Sequence, residues 1–347
     1  MNRPVPVAVD AMGGDRAPEE IVAGALAARS PAVEPVLYGR REALESLAGG
    51  LAVVHAPDVV AMEEKPGEAA RTKRESSLFA VCRAVAAGEA DVAVSAGNTG
   101  ALLAAGLVEI GRLPGVHRPA IALALPALRG PSVLIDGGAN ADARPEHLLQ
   151  FAHMGAVFAE EALRIANPSV ALLSIGEEPE KGNRLVREAH ELLAAGEVRY
   201  VGNVEGRELL AGAADVVVCD GFTGNVALKT LEGGVLTALE SLRGEITASW
   251  RGRLGGVLIR PAARRLRERL DPDAYGGAYL LGLRGLVVIA HGRSSQRAIE
   301  NAIRLAASGV EGGVVERVAG RLAREQPRER SEPGDVLRSR VADGKTE

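Results

Sequence analysis

A chain of 347 residues, 47% hydrophobic and 25% charged, has the length and the ordinary composition for one large or two medium lobes with ample core. A formal net charge of −4 and only 3% aromatic residues exclude the two common signatures of nucleic-acid binding, a basic surface and stacking rings interleaved with it. Two distant cysteines, Cys82 and Cys219, make neither a disulfide framework nor a metal motif; with no signal pattern and no run of about 18 apolar residues, the expected compartment is the cytoplasm.

In chain order, short β-rich runs alternate with longer Ala- and Leu-rich stretches of helical period. Residues 5–9, 34–37, 90–95, 120–125, 133–135, 170–175 and 216–219 read as strands, several of them nearly continuous apolar runs. Strands covered on both faces have this character. Residues 19–28, 75–87, 145–165 and 183–194 read as helices between them. The alternation predicts an α/β fold, a mostly parallel sheet flanked by helices with right-handed crossovers. Residues 226–270 are mostly helical with Gly-rich interruptions; a strand at 287–289 and a helix at 296–307 come after them. The expected organisation is one catalytic unit over residues 1–322, two intertwined lobes sharing a sheet, with a helical arm at about 240–275. Residues 323–347 are charged and poor in apolar side chains, as a disordered tail would be.

The turns after the strands are more informative. Five strands end in a small, glycine-containing turn and then enter a helix: Asp10 to Asp15 with Gly13 and Gly14, Ser95 to Gly100, Asp136 to Asn140, Ser174 to Asn183 with Gly182, and Asp220 to Asn225 with Gly224. In an open parallel sheet such loops converge at the carboxyl ends of the strands, where ligands bind. Glycine lets backbone N–H groups approach an anion, and helix N-termini favour negative charge. Asn and Thr add neutral donors, and Lys181 and Lys229 add point charges. The pattern predicts a phosphate-sized anion. It does not predict a nucleotide, because neither G-x-G-x-x-G after the first strand nor a G-x-x-x-x-G-K-[ST] loop is present.

With these loops in view, the chain resembles the phosphate acyltransferases, which move a fatty acyl group from acyl carrier protein onto inorganic phosphate. The resemblance rests on Val7-Ala8-Val9-Asp10-Ala11-Met12-Gly13-Gly14-Asp15, Ser95-Ala96-Gly97-Asn98-Thr99-Gly100, Gly138-Ala139-Asn140 and Pro145-Glu146-His147. Its strongest parts are Glu177-Glu178-Pro179-Glu180-Lys181-Gly182-Asn183 and Asp220-Gly221-Phe222-Thr223-Gly224-Asn225. Tyr275-Gly276-Gly277-Ala278 and His291-Gly292 also fit, although Arg293 intervenes before the serines that usually come next. The resemblance implies a fold similar to the phosphate acetyltransferase and isopropylmalate dehydrogenase group, a homodimer, and no metal or organic cofactor. It also implies an acyl phosphate product passed to a membrane-bound glycerol-3-phosphate acyltransferase in phospholipid synthesis.

Phosphate must attack a thioester carbonyl while a thiolate departs, so no enzyme nucleophile is required; the protein must position the reactants and stabilise the oxyanion. The residues expected to do so are Lys181, holding phosphate, and Asn225, donating to phosphate or oxyanion. Asp10, Gly13, Gly14, Gly97, Asn98, Thr99, Gly100, Asn140, Gly182, Asn183 and Gly224 are expected around the phosphate, with His291 assisting a proton. Plainer roles stand beside these. Lys181 could simply pair with Glu177, Glu178 or Glu180, and Asn225 could be a helix cap. His147 and His153 match no zinc spacing and read as packing residues, and Cys219 beside Asp220 reads as a buried thiol with a raised pKa.

The segment Leu254-Gly255-Gly256-Val257-Leu258-Ile259 precedes Arg260, Pro261, Arg264 and Arg265. Pro261 suits a first helical turn, with Ala262, Leu266 and Leu270 on one stripe. An apolar tip beside a basic helix suits an anionic membrane surface, and the arginines suit an acidic carrier protein. The plain alternative is a hairpin buried in a dimer. Two other functions stay open: a short-chain phosphotransacylase using coenzyme A esters, and a non-catalytic scaffold for acyl carrier or lipid.

Overall fold

The computed structural model describes residues 3–269 and 275–325. Its strands are β1 (Val5–Asp10), β2 (Val33–Gly39), β3 (Ala52–His55), β4 (Val92–Ser95), β5 (Ala120–Leu125), β6 (Ser132–Ile135), β7 (Val170–Ser174), β8 (Tyr200–Glu205), β9 (Val216–Val218), β10 (Ala278–Leu281) and β11 (Leu286–Ile289). The helices are α1 (Glu19–Ala28), α2 (Arg41–Leu44), α3 (Pro66–Thr72), α4 (Ser77–Ala87), α5 (Thr99–Ala105), α6 (Pro145–Ala162), α7 (Arg184–Ala195), α8 (Gly221–Thr247), α9 (Trp250–Arg269), α10 (Gln296–Glu311) and α11 (Val314–Glu325).

All the strands form one sheet in the order β3-β2-β1-β4-β11-β10-β5-β6-β9-β7-β8. Strands β3, β2, β1, β4 and β11 run parallel to one another, as do β6, β9, β7 and β8. Between the two blocks, β11–β10, β10–β5 and β5–β6 are antiparallel. Three reversals leave the blocks pointing in opposite directions. This corrects the expected convergence of all five glycine loops at one edge. The loops after β1 and β4 leave one edge of the sheet, and those after β6, β7 and β9 leave the other.

The predicted helix 19–28 and strand 120–125 have their expected bounds. Three strands escaped the sequence reading. β3 is a largely exposed edge strand of four residues, too short for its Ala52-Val53-Val54 run to stand out, and β8 is an edge strand interrupted at Gly202, where φ is +102°. β10 is fully buried, but it comes so soon after Gly276-Gly277 that it reads as a turn. Helix α11 continues to Glu325, so Ala323 to Glu325 belong to it, and the rest of the expected tail lies outside the described residues.

The core is aliphatic, with few aromatic rings. Tyr279 is fully buried, donates its hydroxyl to the Leu305 carbonyl at 2.6 Å, and meets Phe158 edge-on at 5.0 Å. Helix α6 crosses behind β6 and β9 and is buried for most of its length, including His147 and His153. His147 lies between His117 and Phe151, a packing environment as expected.

The arm is a hairpin of α8 and α9, starting at Gly221 rather than near 240. In α8 only Gly221 and Gly224 are fully buried; Ala227, Leu228 and Leu231 pack half-buried on the core, and the rest of the hairpin extends away from it. Its helices meet where Gly252 and Gly256 let α9 approach Ile246; a Cβ on Gly252 would lie 2.2 Å from the Ile246 carbonyl oxygen. The expected break at Gly255-Gly256 and helix start at Pro261 are both corrected, since α9 runs from Trp250 through Pro261. The helix forgoes one backbone hydrogen bond there. Leu270 lies outside the described residues.

Burial lowers the His153 pKa from 6.5 to about 4, with Arg321 adding to the effect. The native state therefore resists the proton that the unfolded chain accepts. His153 contributes stability above pH 6.5 that is lost as the pH falls to about 4, by about 3 kcal/mol. In urea unfolding across this window, His153→Gln is expected to show a flatter dependence of stability on pH than wild type.

Candidate active site between two sets of clasped loops

On the first edge, β1 ends in Asp10, whose buried carboxylate accepts from the Ser95 hydroxyl at 2.7 Å and the Met12 N–H at 3.3 Å. Ser95 in turn accepts from the Gly97 N–H at 3.0 Å. The loop after β1 is tied to the loop after β11 by Asp15 N–H donating to the Gly292 carbonyl at 2.8 Å. Gly13 has no room for a side chain, since a Cβ would sit 2.3 Å from the Asp10 carboxylate. Gly14, at φ +107°, packs beside Gly292 and Ala96. The glycines after β1 are thus required by close packing.

On the second edge, Asp136 plays the corresponding part. Its fully buried carboxylate accepts from the backbone N–H groups of Ile121, Gly138, Ala139 and Asn140, and from the Asn140 side chain, at 2.7–3.1 Å. Helix α8 presses onto this clasp: Gly221 N–H donates to the Asn140 carbonyl at 2.7 Å, and a Cβ on Gly224 would fall 2.0 Å from the Asp136 carbonyl oxygen. Burial raises the pKa of both Asp10 and Asp136 against the lowering effect of their hydrogen bonds.

Between the clasps lies a cavity of about 670 Å³ over β5, β10 and β11. Its floor is apolar, with Ile121, Leu123, Ala278 and Ile289 from the sheet and Leu103 and Leu228 from α5 and α8. Gly97, Thr99 and Gly100 border it from one side, and Gly137, Gly138 and Asn225 from the other. His291 and Arg293 reach it from the loop after β11, and Lys229 from α8 in an ion pair of 2.8 Å with Glu232.

The structure therefore brings Gly97, Thr99, Gly100, Asn225 and His291 to one cavity. Asn225 is exposed in the second turn of α8 and is not its cap; Asp220 is, accepting from Thr223 N–H at 2.9 Å. Two other candidates are committed elsewhere. Asn98 caps α5 through Ala101 N–H and donates to the carbonyls of Met62 and Glu64, each at 2.9 Å. Asn140 donates to the Pro119 carbonyl and to Asp136. Both side chains build the loops, with their amide donors already given to protein groups.

Lys181, Gly182 and Asn183 sit in the loop after β7, beside that after β9 at the same edge, and do not line the cavity. Asn183 caps α7 through Val186 N–H at 2.9 Å, and Gly182 is in the left-handed region at φ +102°. Lys181 is exposed and makes no ion pair with the neighbouring glutamates among the described residues. Cys219 is buried, and desolvation, with Asp220 and Asp136 nearby, pushes its thiol well above the usual range.

Sequence reasoning missed Asp136 and Arg293 as site residues. Asp136 carried a signal: like Asp10 and Asp220, it is an Asp at the end of an apolar strand run, and like Asp220 it is followed directly by glycine. Arg293 carried none beyond its departure from the expected serine.

Comparison with known proteins adds to this geometry. Residues 5–317 match the family described as fatty acid synthesis protein. The phosphate acyltransferase of Heliobacterium modesticaldum is 48% identical over 314 residues, covering 88% of this chain and 94% of that protein. That of Thermus thermophilus is 48% identical over 323 residues, covering 91% and 98%. Among solved structures, a phosphotransacetylase from Streptococcus pyogenes superposes with a TM-score of 0.59 at 16% identity, covering 90% of this chain and 95% of that one. A branched-chain phosphotransacylase from Enterococcus faecalis gives 0.57 at 16% identity, covering 88% and 99%. At that identity these structures establish the fold.

The glycines of α8 give a paired prediction. Gly224→Ala forces a methyl group against the Asp136 backbone, with an overpacking cost of about 1–3 kcal/mol or more. Gly234→Ala, in the same helix but facing open space, is expected to gain up to about 1 kcal/mol from helix propensity. Urea denaturation of the two variants beside wild type checks the opposite signs.

Proposed function

The chain belongs to the fatty acid synthesis protein family, whose members named above are phosphate acyltransferases, and on that premise we propose that this acyltransferase moves a long-chain acyl group from acyl carrier protein to inorganic phosphate. The observation that carries the reading is the character of the cavity. A polar rim with Asn225, His291 and Arg293 stands over an apolar floor of Leu103, Ile121, Leu123 and Leu228. Such a site suits an acyl chain below and an anion at the rim.

In this reading the thioester carbonyl lies at the rim, and a phosphate oxygen attacks its carbon. The carbon–sulfur bond breaks as the tetrahedral intermediate collapses, and the thiolate leaves with the carrier. Asn225, on a helix pressed rigidly against the Asp136 clasp, donates to the oxyanion or to phosphate. Thr99 and Arg293 add donors from the opposite side. Lys181, exposed on the neighbouring loop after β7, is assigned to neutralise phosphate, and His291 to assist a proton.

The arm fits the same reading. Trp250, Leu254, Val257 and Leu258 recur at helical spacing along α9 and are 62–78% exposed, and Ile259 is half exposed. Arg251, Arg253, Arg260, Arg264 and Arg265 lie on the same helix. No helix among the described residues is long and apolar enough to cross a membrane, so the stripe suits lying on an anionic surface. There a homodimer would deliver its acyl phosphate to a membrane-bound glycerol-3-phosphate acyltransferase.

Purified chain, long-chain acyl carrier protein and phosphate, with acyl phosphate trapped by hydroxylamine, test the reaction. Phosphate-dependent product is expected, falling at least tenfold in Lys181→Ala and in Asn225→Ala, about 1.4 kcal/mol of transition-state stabilisation in each. Activity confined to short-chain coenzyme A esters would replace the donor, and no product from either donor would leave the scaffold. For the arm, Leu258→Asp is expected to cut sedimentation with anionic vesicles several-fold while the far-ultraviolet spectrum stays that of wild type. Unchanged sedimentation would remove the lipid role.

A further inference from the structure

The segment that clasps Asp136 continues past Asn140 into a second cleft, of about 800 Å³, that shares no lining residue with the catalytic cavity. Arg112, Arg118 and Arg144 line it with His117 and His147, and two carboxylates, Asp142 and Glu146, lie on the same walls. None of the three guanidiniums makes an ion pair within 4 Å among the described residues. Arg112 is held in place by its Nη1 donating to the His117 carbonyl at 2.5 Å, while Arg118 and Arg144 are exposed.

Two further features make the cleft electropositive. The 18-residue helix α6 begins at Pro145, so its amide end opens here. His147 Nδ1 accepts the Arg144 N–H at 3.2 Å, and its ring lies 5.8 Å from that of His117. Burial lowers the His147 pKa, and the charges of His117, Arg118 and Arg144 lower it further against Glu146.

We infer that this cleft is a second anion site, taking a phosphate group, free or as the phosphoester of a larger ligand, between Arg118 and Arg144. Forked guanidinium donors match phosphate oxygens, and a ligand held there offsets cationic charge that no ion pair balances among the described residues. The cleft is continuous in sequence with Asn140, two residues before Asp142, so an occupant bears on the loop that Asp136 holds. The inference does not depend on the acyl-transfer reading.

An anion in the cleft cancels positive field at His147 and raises its pKa. The test is a pH titration of the intact chain with ¹³C-labelled histidine, monitored by NMR at constant ionic strength. The additions are chloride, inorganic phosphate, 4′-phosphopantetheine and pantetheine. Phosphate or 4′-phosphopantetheine is expected to raise the His147 pKa by about half a pH unit, a threefold change in proton affinity, relative to chloride and pantetheine. The Arg118→Ala/Arg144→Ala chain is expected to show no such rise; if its thermal transition falls, Arg118→Gln alone takes its place. A rise with both phosphate compounds assigns a free phosphate site, and a rise with 4′-phosphopantetheine alone assigns a phosphoester site. If neither compound moves His147 in folded wild type, or if the arginine variants respond like wild type, the inference fails.

Discussion

The buried carboxylate of Asp136 is the interaction on which the candidate site depends. It gathers donors from the start of β5, from the three residues after Gly137 and from the Asn140 side chain. A carboxylate removed from water is costly unless its lone pairs are met, and here each oxygen has at least two donors. The loop cannot relax without uncovering that group. Helix α8 then seats on the loop through two glycines, and the seat fixes where Asn225 stands. The position of an exposed polar donor at the cavity thus depends on a fully buried acid beneath it.

Asp10 repeats the arrangement at the other edge, with Ser95 as intermediary to Gly97. The two clasps belong to parallel blocks of opposite direction, and the antiparallel β10 and β5 lie between them. A fully parallel sheet would place every loop on one side of a shallow crevice. With the blocks reversed, loops approach from both edges over the face of the central strands, and apolar side chains of those strands become the floor. An apolar floor under a polar rim is what separates an acyl site from a site for phosphate alone.

The hairpin of α8 and α9 answers to a different constraint. Its first turn is part of the Asp136 clasp beside the candidate site, while its far end carries Trp250 and Leu258 in the open. Helix α8 therefore runs from the site to the turn at which α9, with its exposed apolar stripe, begins. Glycines at 252 and 256 pair the two helices closely around Ile246, so the stripe is presented by a packed hairpin and not by a loose stretch of chain.

The sequence by itself determined the α/β class, the places of most strands and helices, the family resemblance and the loops that carry the candidate site. It did so because these properties are local: apolar runs, helical period, glycine and Asp at strand ends. Strand direction was not legible, because a run such as Val133 to Ile135 reads the same whichever way it pairs. Nor was the division of labour among the polar loop residues. Asn98, Asn140 and Asn225 are alike in sequence, and only the neighbours that the fold supplies commit the first two to backbone groups and leave the third at the cavity. Tertiary structure decided which side-chain amides are committed to protein groups and which one faces the cavity with its donors open to a ligand.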